Sequence, residues 1–337
     1  MLPCGERVRP VNQWGTARMK IGYAFLLLAL AAALPTAHAQ EWPARPVRIV
    51  VAFPPGGLTD VLARTLAQRL TEEFGQQFFV DNRAGGAGGT VGIEFVVNSR
   101  PDGYTTIVLP ASFAAAPAVY KLSFDPIKGI APIAMIAAAP FVLVVHPAVK
   151  AANLKELIEL ARAKPGALNF GSSGVGTDLH LALELFRQLT GTDLVHVPYK
   201  GIAPALNDLL GGAIQLMLST PLSASVHIKS GKLRALAVTT EQRSPAMPDL
   251  PAIGELVPGY SSRAWFGLGA PAGTPNEIVS RLNQSVAQIL NQPEVQERLR
   301  AGGVEPAHST PEEFSRVIAR DFAMWSKVIR TGNIKVD

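Results

Sequence analysis

The stretch RPVRIVVAFPPGGLTDVLAR, from Arg45 to Arg64, decides how the rest of the chain is read. Arg45 to Phe53 is short, apolar and β-branched, the composition of a buried strand. Pro54-Pro55-Gly56-Gly57 breaks it, and a helix is expected from Thr59 or Asp60. Leu62, Leu66, Leu70 and Phe74 then recur on one helical face until Gly75 stops the helix.

Outward from that unit, the same order repeats. Gln77 to Asp81 reads as a strand, Gly85 to Thr90 as a glycine loop and Val91 to Asn98 as a helix. Tyr104 to Leu109 is a strand ending at Pro110-Ala111-Ser112. Phe141 to Val145 and Leu168 to Phe170 are further strands. The second enters Gly171-Ser172-Ser173-Gly174-Val175-Gly176-Thr177 and a long helix from Asp178 to Leu189. His196-Val197-Pro198-Tyr199-Lys200-Gly201 precedes another helix; Ile214 to Leu218 ends at Ser219-Thr220, and Leu233 to Val238 is a strand. Beyond Trp265-Phe266-Gly267-Leu268 the chain reads as mainly helical.

Alternating strands and helices imply parallel sheets covered by helices. Eight or so strands before Val238 are many for one sheet, so two α/β lobes are expected. The chain crosses between them near Ile133 to Val145 and Leu233 to Thr240, forming a hinge. The first lobe takes 40–141 plus 242–337 and the second 142–241.

The ends of the chain change the electrostatic reading. Arg7, Arg9, Arg18 and Lys20 precede an apolar run from Ile21 to Leu34, and Ala37-His38-Ala39 follows. That is a secretory leader over 1–39, shorter than the about 20 apolar residues a membrane span needs. Met19-Lys20 is itself a normal leader start. Export to the periplasm is expected, with no stable membrane insertion. The whole chain has 337 residues and a net charge of +5; losing four bases and Glu6 with the leader leaves +2. No basic cluster with interleaved aromatics remains, so nucleic-acid binding has no footprint. Cys4 departs as well, removing any thiolate nucleophile or Cys metal site.

Glycine loops before helices bring backbone N–H groups and the positive helix end to an anion without Lys or Arg. Pro55 to Thr59, Gly85 to Thr90, Ser172 to Thr177 and Gly201 to Ala203 are four such loops, expected at one sheet edge. Enzyme motifs fail. Val91 spoils the dinucleotide fingerprint, Val175 spoils G-x-S-x-G around Ser173, and the mature histidines lack HExxH spacing. Catalytic residues, a metal and a cofactor are therefore not expected. A hydrolase using Ser172 or Ser173 with His180 is the weaker enzyme alternative. His180 otherwise faces the ligand or braces its loop, and Asp60 with Arg64 reads as a surface i,i+4 pair.

WPARPVRIVVAFPPGGLTDVLAR, VDNRAGGAGGTVG, SRPDGYT, GSSGVGTDLHLALELF, HVPYKG, LNDLLGG, GKLRALAVTT and APAGTP occur in this order. Together they resemble the substrate-binding proteins of tripartite tricarboxylate transporters, the Bug family. The resemblance spans Trp42 to the C-terminus. It implies a type II periplasmic-binding-protein fold, each lobe a mostly parallel sheet flanked by helices, with a hinge of crossing strands. It implies a receptor that captures a small carboxylate and delivers it to inner-membrane permease subunits, or reports it to a membrane sensor. Phe53, Pro55, Gly56, Gly57, Thr59, Gly86, Gly88, Gly89 and Thr90 then look like the first-lobe carboxylate grip. Ala111 and Ser112 form a variable wall, and Ser172, Ser173, Thr177, His180, Tyr199, Gly201 and Ser219 the second-lobe contacts. Many relatives carry an acid where this chain has Ser219-Thr220, which leans toward a plain carboxylate ligand. A monomer is expected.

Overall fold

The computed structural model describes residues 41–334 apart from 246, and the leader expected at 1–39 lies outside them. The compact unit begins at Arg45. Its strands are β1 (Val47–Val51), β2 (Phe78–Asn82), β3 (Thr105–Pro110), β4 (Ile130–Pro140), β5 (Val142–Val145) and β6 (Leu168–Ser172). After them come β7 (Leu194–Pro198), β8 (Leu216–Ser219), β9 (Arg234–Val238), β10 (Arg263–Pro271) and the short β11 (Glu305–Pro306).

They form two sheets, ordered β11-β4-β10-β3-β1-β2 and β7-β6-β8-β5-β9. Each is built to one plan. A parallel triplet, β2-β1-β3 or β7-β6-β8, lies beside one antiparallel strand, β10 or β5. That strand has arrived from the other sheet, and the strand next to it, β4 or β9, is the one about to leave. The shared direction of most strands fits the sequence pattern, while the arriving strands make the pairing mixed. Strands buried on both faces explain why Val47, Ile49, Val50 and Val51 are all fully buried.

The two crossings lie side by side. Phe141, between β4 and β5, donates its N–H to Thr239 Oγ1 at 2.9 Å, and the Thr239 N–H returns a bond to the Phe141 carbonyl at 2.9 Å. The Ser262 N–H donates to the Thr239 carbonyl at 2.8 Å just before β10. Paired crossing segments of this kind let two lobes rotate while keeping their backbone bonds.

The expectation of mainly helix after Leu268 missed β10, and β4 begins at Ile130, three residues before the expected crossing at Ile133. Both are poor in strand-forming side chains: β4 reads IAPIAMIAAAP and β10 RAWFGLGAP. Packing decides them instead. A Cβ at Gly267 would overlap the Phe314 ring, which meets the fully buried Trp265 edge-on at 5.2 Å between centroids. Small residues in these strands let the helix Pro311–Thr331 sit close to the sheet.

That helix serves both lobes. Phe314 and Ile318 join the core against β3 and β10, while Trp325, Val328 and Ile329 join the core around β5, β6 and the helix Asp178–Thr190. Gln188 Nε2 donates to the Val328 carbonyl at 2.9 Å. Among the described residues no helix is long and apolar enough to cross a membrane. None holds a group of three or more His, Cys, Asp or Glu placed for a metal ion.

Candidate functional site

A cavity of about 440 Å³ lies between the two sheets, at the loops that follow β1, β2, β3, β6, β7 and β8. All four glycine loops reach it, through Leu58, through Gly88, through Ser173, Gly176 and Thr177, and through Ile202. The rest of its wall is largely apolar: Phe53, Phe141 and Phe266, with Ala115, Ala116 and Val119 on the helix Ser112–Val119. Among the described residues no Lys or Arg side chain lines it.

On the first wall, the helix Leu58–Phe74 starts at Gly57 and the helix Thr90–Val97 at Gly89, neither capped by a side chain. The helix Ser112–Val119 likewise has no side-chain cap at Ala111. Backbone carbonyls take some of their leading N–H groups, Val91 to Gly85 at 3.3 Å, Gly89 to Gly86 at 3.4 Å and Ala114 to Ala111 at 3.1 Å. The others have no intrahelical acceptor and, with the positive dipole ends, lie on this side. Gly89, at φ +80°, is placed by contact: a Cβ there would lie 2.9 Å from the Ala52 Cβ and 3.2 Å from the Phe53 ring. The glycine thus lets the second helix settle on the end of β1.

Asp60 fixes this wall. Its Oδ2 accepts from the Gly56 N–H at 3.0 Å and Arg64 Nε at 2.9 Å, and its Oδ1 from Asn82 Nδ2 at 2.9 Å. Asn82 Nδ2 also reaches the Phe53 carbonyl at 3.2 Å. Burial works against ionisation of Asp60, yet the bonds from Arg64, Gly56 and Asn82 outweigh it and hold the carboxyl below its usual range. The expected i,i+4 pair thus forms with Arg64 exposed, but its Asp60 is buried and clamps the Pro55–Thr59 turn.

The second wall spends its loop donors on itself, although the helices Asp178–Thr190 and Ile202–Leu210 also begin without a side-chain cap. The Gly174 N–H bonds Ser172 Oγ at 3.2 Å and the Gly176 N–H bonds His180 Nδ1 at 3.0 Å. Ser172 Oγ also meets His196 Nε2 at 2.7 Å, and the His180 and His196 rings stack 3.9 Å apart, with Phe170 beneath His196 at 4.8 Å. Burial first, then the His196 and Arg187 charges, lowers His180 to about 3; burial lowers His196 to about 4. Both rings are neutral braces at neutral pH. Thr220 caps the next helix, Pro221–Lys229, by accepting from the Ser223 N–H at 3.2 Å.

Of the residues the sequence singled out, Phe53, Gly88, Ser112, Ser173 and Thr177 line the cavity. Pro55, Gly56 and Gly57 are exposed at its edge, and Gly86, Gly89 and Thr90 shape the loop behind Gly88. Thr59, Ala111, Ser172, His180 and Ser219 are buried and do not line it. Ser172 and His180 hold their own loop, and Ser219 Oγ has no hydrogen-bond partner among the described residues. Tyr199 turns away to donate to Asp208 Oδ2 at 2.7 Å, and Gly201, at φ +115°, delivers Ile202 rather than itself. Asp178 was read only as a helix start, yet it lines the cavity. Phe266 and Gly302-Gly303-Val304 also reach it from the distant last third of the chain, where local pattern carries no such signal.

The family model for the tripartite tricarboxylate transporter family receptor matches residues 62–334. The chain belongs to this receptor family. It is 36% identical to protein BugT of Bordetella pertussis over 92% of this chain and 96% of that one. Among solved structures it is similar to Rpa4515 of R. palustris with adipate, at 39% identity and TM-score 0.71, covering 88% of this chain and 99% of the other. It is also similar to MatC of Rhodopseudomonas palustris with bound malate, at 31% identity and TM-score 0.67, covering 86% and 100%. These neighbours share the two-lobed fold, which agrees with the resemblance read in the sequence.

In this receptor the serine–histidine contact joins Ser172 to His196, not to His180. Ser172 Oγ is buried, donates to the Gly174 carbonyl at 3.1 Å and does not line the cavity. A nucleophile must reach its substrate, and this hydroxyl does not. Ser173, the other serine considered, lines the cavity but bonds no histidine among the described residues.

Proposed function

We propose that this chain is an extracytoplasmic receptor that captures a small carboxylate between its lobes and delivers it to a tripartite tricarboxylate-type permease. The observation that carries this reading is the cavity itself, faced from both walls by helix starts that no side chain caps, three of them on the first wall. Oriented peptide N–H groups bind a carboxylate there without a cationic side chain. The adipate and malate held by relatives are acids of the size such a cavity accepts. The lobes, 40–141 with 242–337 and 142–241, close on the ligand about the paired crossings at Phe141 and Thr239. Ligand favours the closed population by its differential affinity for it.

The receptor works in the periplasm as a monomer after losing residues 1–39, and it performs no chemistry on what it binds. Thermal shift with adipate, malate and aromatic monoacids tests the reading. A true ligand at about 100 times its Kd adds about 2.7 kcal/mol of stability. No shift with any carboxylate rejects it. Crosslinking in membranes then identifies the docking partner: recovery of the permease supports delivery, and recovery of a sensor protein instead contradicts it.

A further inference from the structure

The cavity contains a carboxylate of its own. Asp178, the first residue of the helix Asp178–Thr190, lines it, while no described Lys or Arg side chain does. Among the described residues no other side chain bonds to Asp178, and only its own backbone N–H favours the ionised form. The charge acting on it most directly belongs to another acid, Asp321 of the helix Pro311–Thr331. Asp321 is itself engaged: Trp265 Nε1 reaches Oδ2 at 2.8 Å, and Arg320 reaches Oδ1 through Nε at 3.0 Å and Nη2 at 2.8 Å. Burial, then the Asp321 charge, pushes Asp178 up to about 6, as expected of an acid without a counter-ion.

The surroundings of Asp178 sharpen the contrast. The N–H groups of Gly174 and Gly176 are taken by Ser172 and His180. At Asp178 this wall therefore offers the ligand an acceptor beside an uncapped helix start, where the sequence suggested donors alone. The opposite wall, at Leu58, Gly88 and Ser112, sits at helix starts with uncapped N–H groups.

We propose that Asp178 makes the cleft dipolar and selects acids that carry a hydrogen-bond donor, an amine or a hydroxyl, at the end away from the carboxylate. The carboxylate sits on the helix starts of the first wall and the donor on Asp178. An ionised diacid instead brings a second negative group against Asp178. The proposal rests on the receptor reading above. It also replaces the lean toward a plain carboxylate: the acid absent at Ser219-Thr220 is supplied from the neighbouring loop.

The test is calorimetric titration at pH 7.5 with four- to six-carbon series of ω-amino acids, ω-hydroxy acids, simple monoacids and diacids. The wild-type chain should bind a donor-bearing acid at least tenfold more tightly than the diacid and monoacid of the same length. Asp178→Asn should reduce that ratio to threefold or less, and Asp178→Glu should keep it. If diacids or monoacids bind as well as their donor-bearing partners, or the ratio survives in D178N, the proposal is overturned while the receptor reading stands. If no acid of any series, nor adipate or malate, binds the wild-type chain, the receptor reading itself fails. Should D178N not fold, the wild-type series and D178E decide the matter by the same ratios.

Discussion

On the first wall of the cleft, the helices Leu58–Phe74 and Thr90–Val97 begin at Gly57 and Gly89, and no side chain takes their leading N–H groups. On the second wall the helix Asp178–Thr190 also begins without a side-chain cap, but there Ser172 and His180 take the loop N–H groups of Gly174 and Gly176, and the first helical residue is an acid. One local motif therefore yields two electrostatic outcomes. A glycine loop before a helix makes an anion grip only when its own polar side chains leave the amides free.

The strongest challenge to this contrast is steric. Gly89→Val forces a β-branched side chain to φ +80° and pushes a Cβ into Ala52 and Phe53. Carboxylate affinity should fall at least about 100-fold, the equivalent of about 2.7 kcal/mol, as the helix start is displaced. Titration of the folded variant checks it, and near-normal binding would mean the first wall is not the grip.

Removing the clamp comes next. Asp60→Ala leaves the Gly56 N–H, Arg64 and Asn82 without their shared acceptor and should cost about 2 kcal/mol in urea unfolding. Weaker ligand binding should accompany it, because the Pro55–Thr59 turn loses its anchor.

The second wall has its own signature in pH. His180 and His196 are held neutral, at about 3 and about 4 against an ordinary 6.5. The unfolded chain takes up protons below about 6.5 that the folded pair refuses, so stability is full above that value. It should decline by more than about 1.4 kcal/mol as pH falls from about 6.5 to 4, the worth of one pKa unit. A melting series that stays flat over this range would contradict the brace.

Asp178 runs the other way and is the smallest of these effects. Its folded value is raised from 3.8 to about 6, so its ionised form weakens the fold above pH 6, and that penalty fades as pH drops toward 3.8. At pH 7.5, D178N should therefore unfold later in urea by about 1 kcal/mol, after allowance for partial exposure and the lost helix-start charge. An acid that costs stability at a cavity wall fits a binding role better than a packing one.

Much of this was legible from residues. The β1 run from Val47 to Val51, the four glycine loops and the two-lobed plan follow from strand composition and from Gly and Pro punctuation. β10 and β4 were not, because Gly267 and the alanines of β4 are chosen by the approach of Phe314 and its helix, a tertiary demand with no local pattern. Within the site, lining by Gly88, Ser112, Ser173 and Thr177 was expected. Asp178 was hidden because an acid in a helix's first turn is ordinary sequence, and only the fold shows it facing a cavity. Of the two roles read for His180, facing the ligand or bracing its loop, the bond from the Gly176 N–H is the bracing one, and Ser172 likewise bonds within the loop.

The central claim is that backbone amides at the first wall hold the ligand's carboxylate. The most direct measurement is an amide ¹H–¹⁵N titration of the mature receptor with adipate, malate and the donor-bearing acids above. The account predicts saturable shifts, largest at Gly57, Leu58, Gly88 and Gly89, with smaller changes at Gly174 and Gly176. Saturable binding that leaves those first-wall amides unmoved and shifts the second-wall amides instead would contradict it.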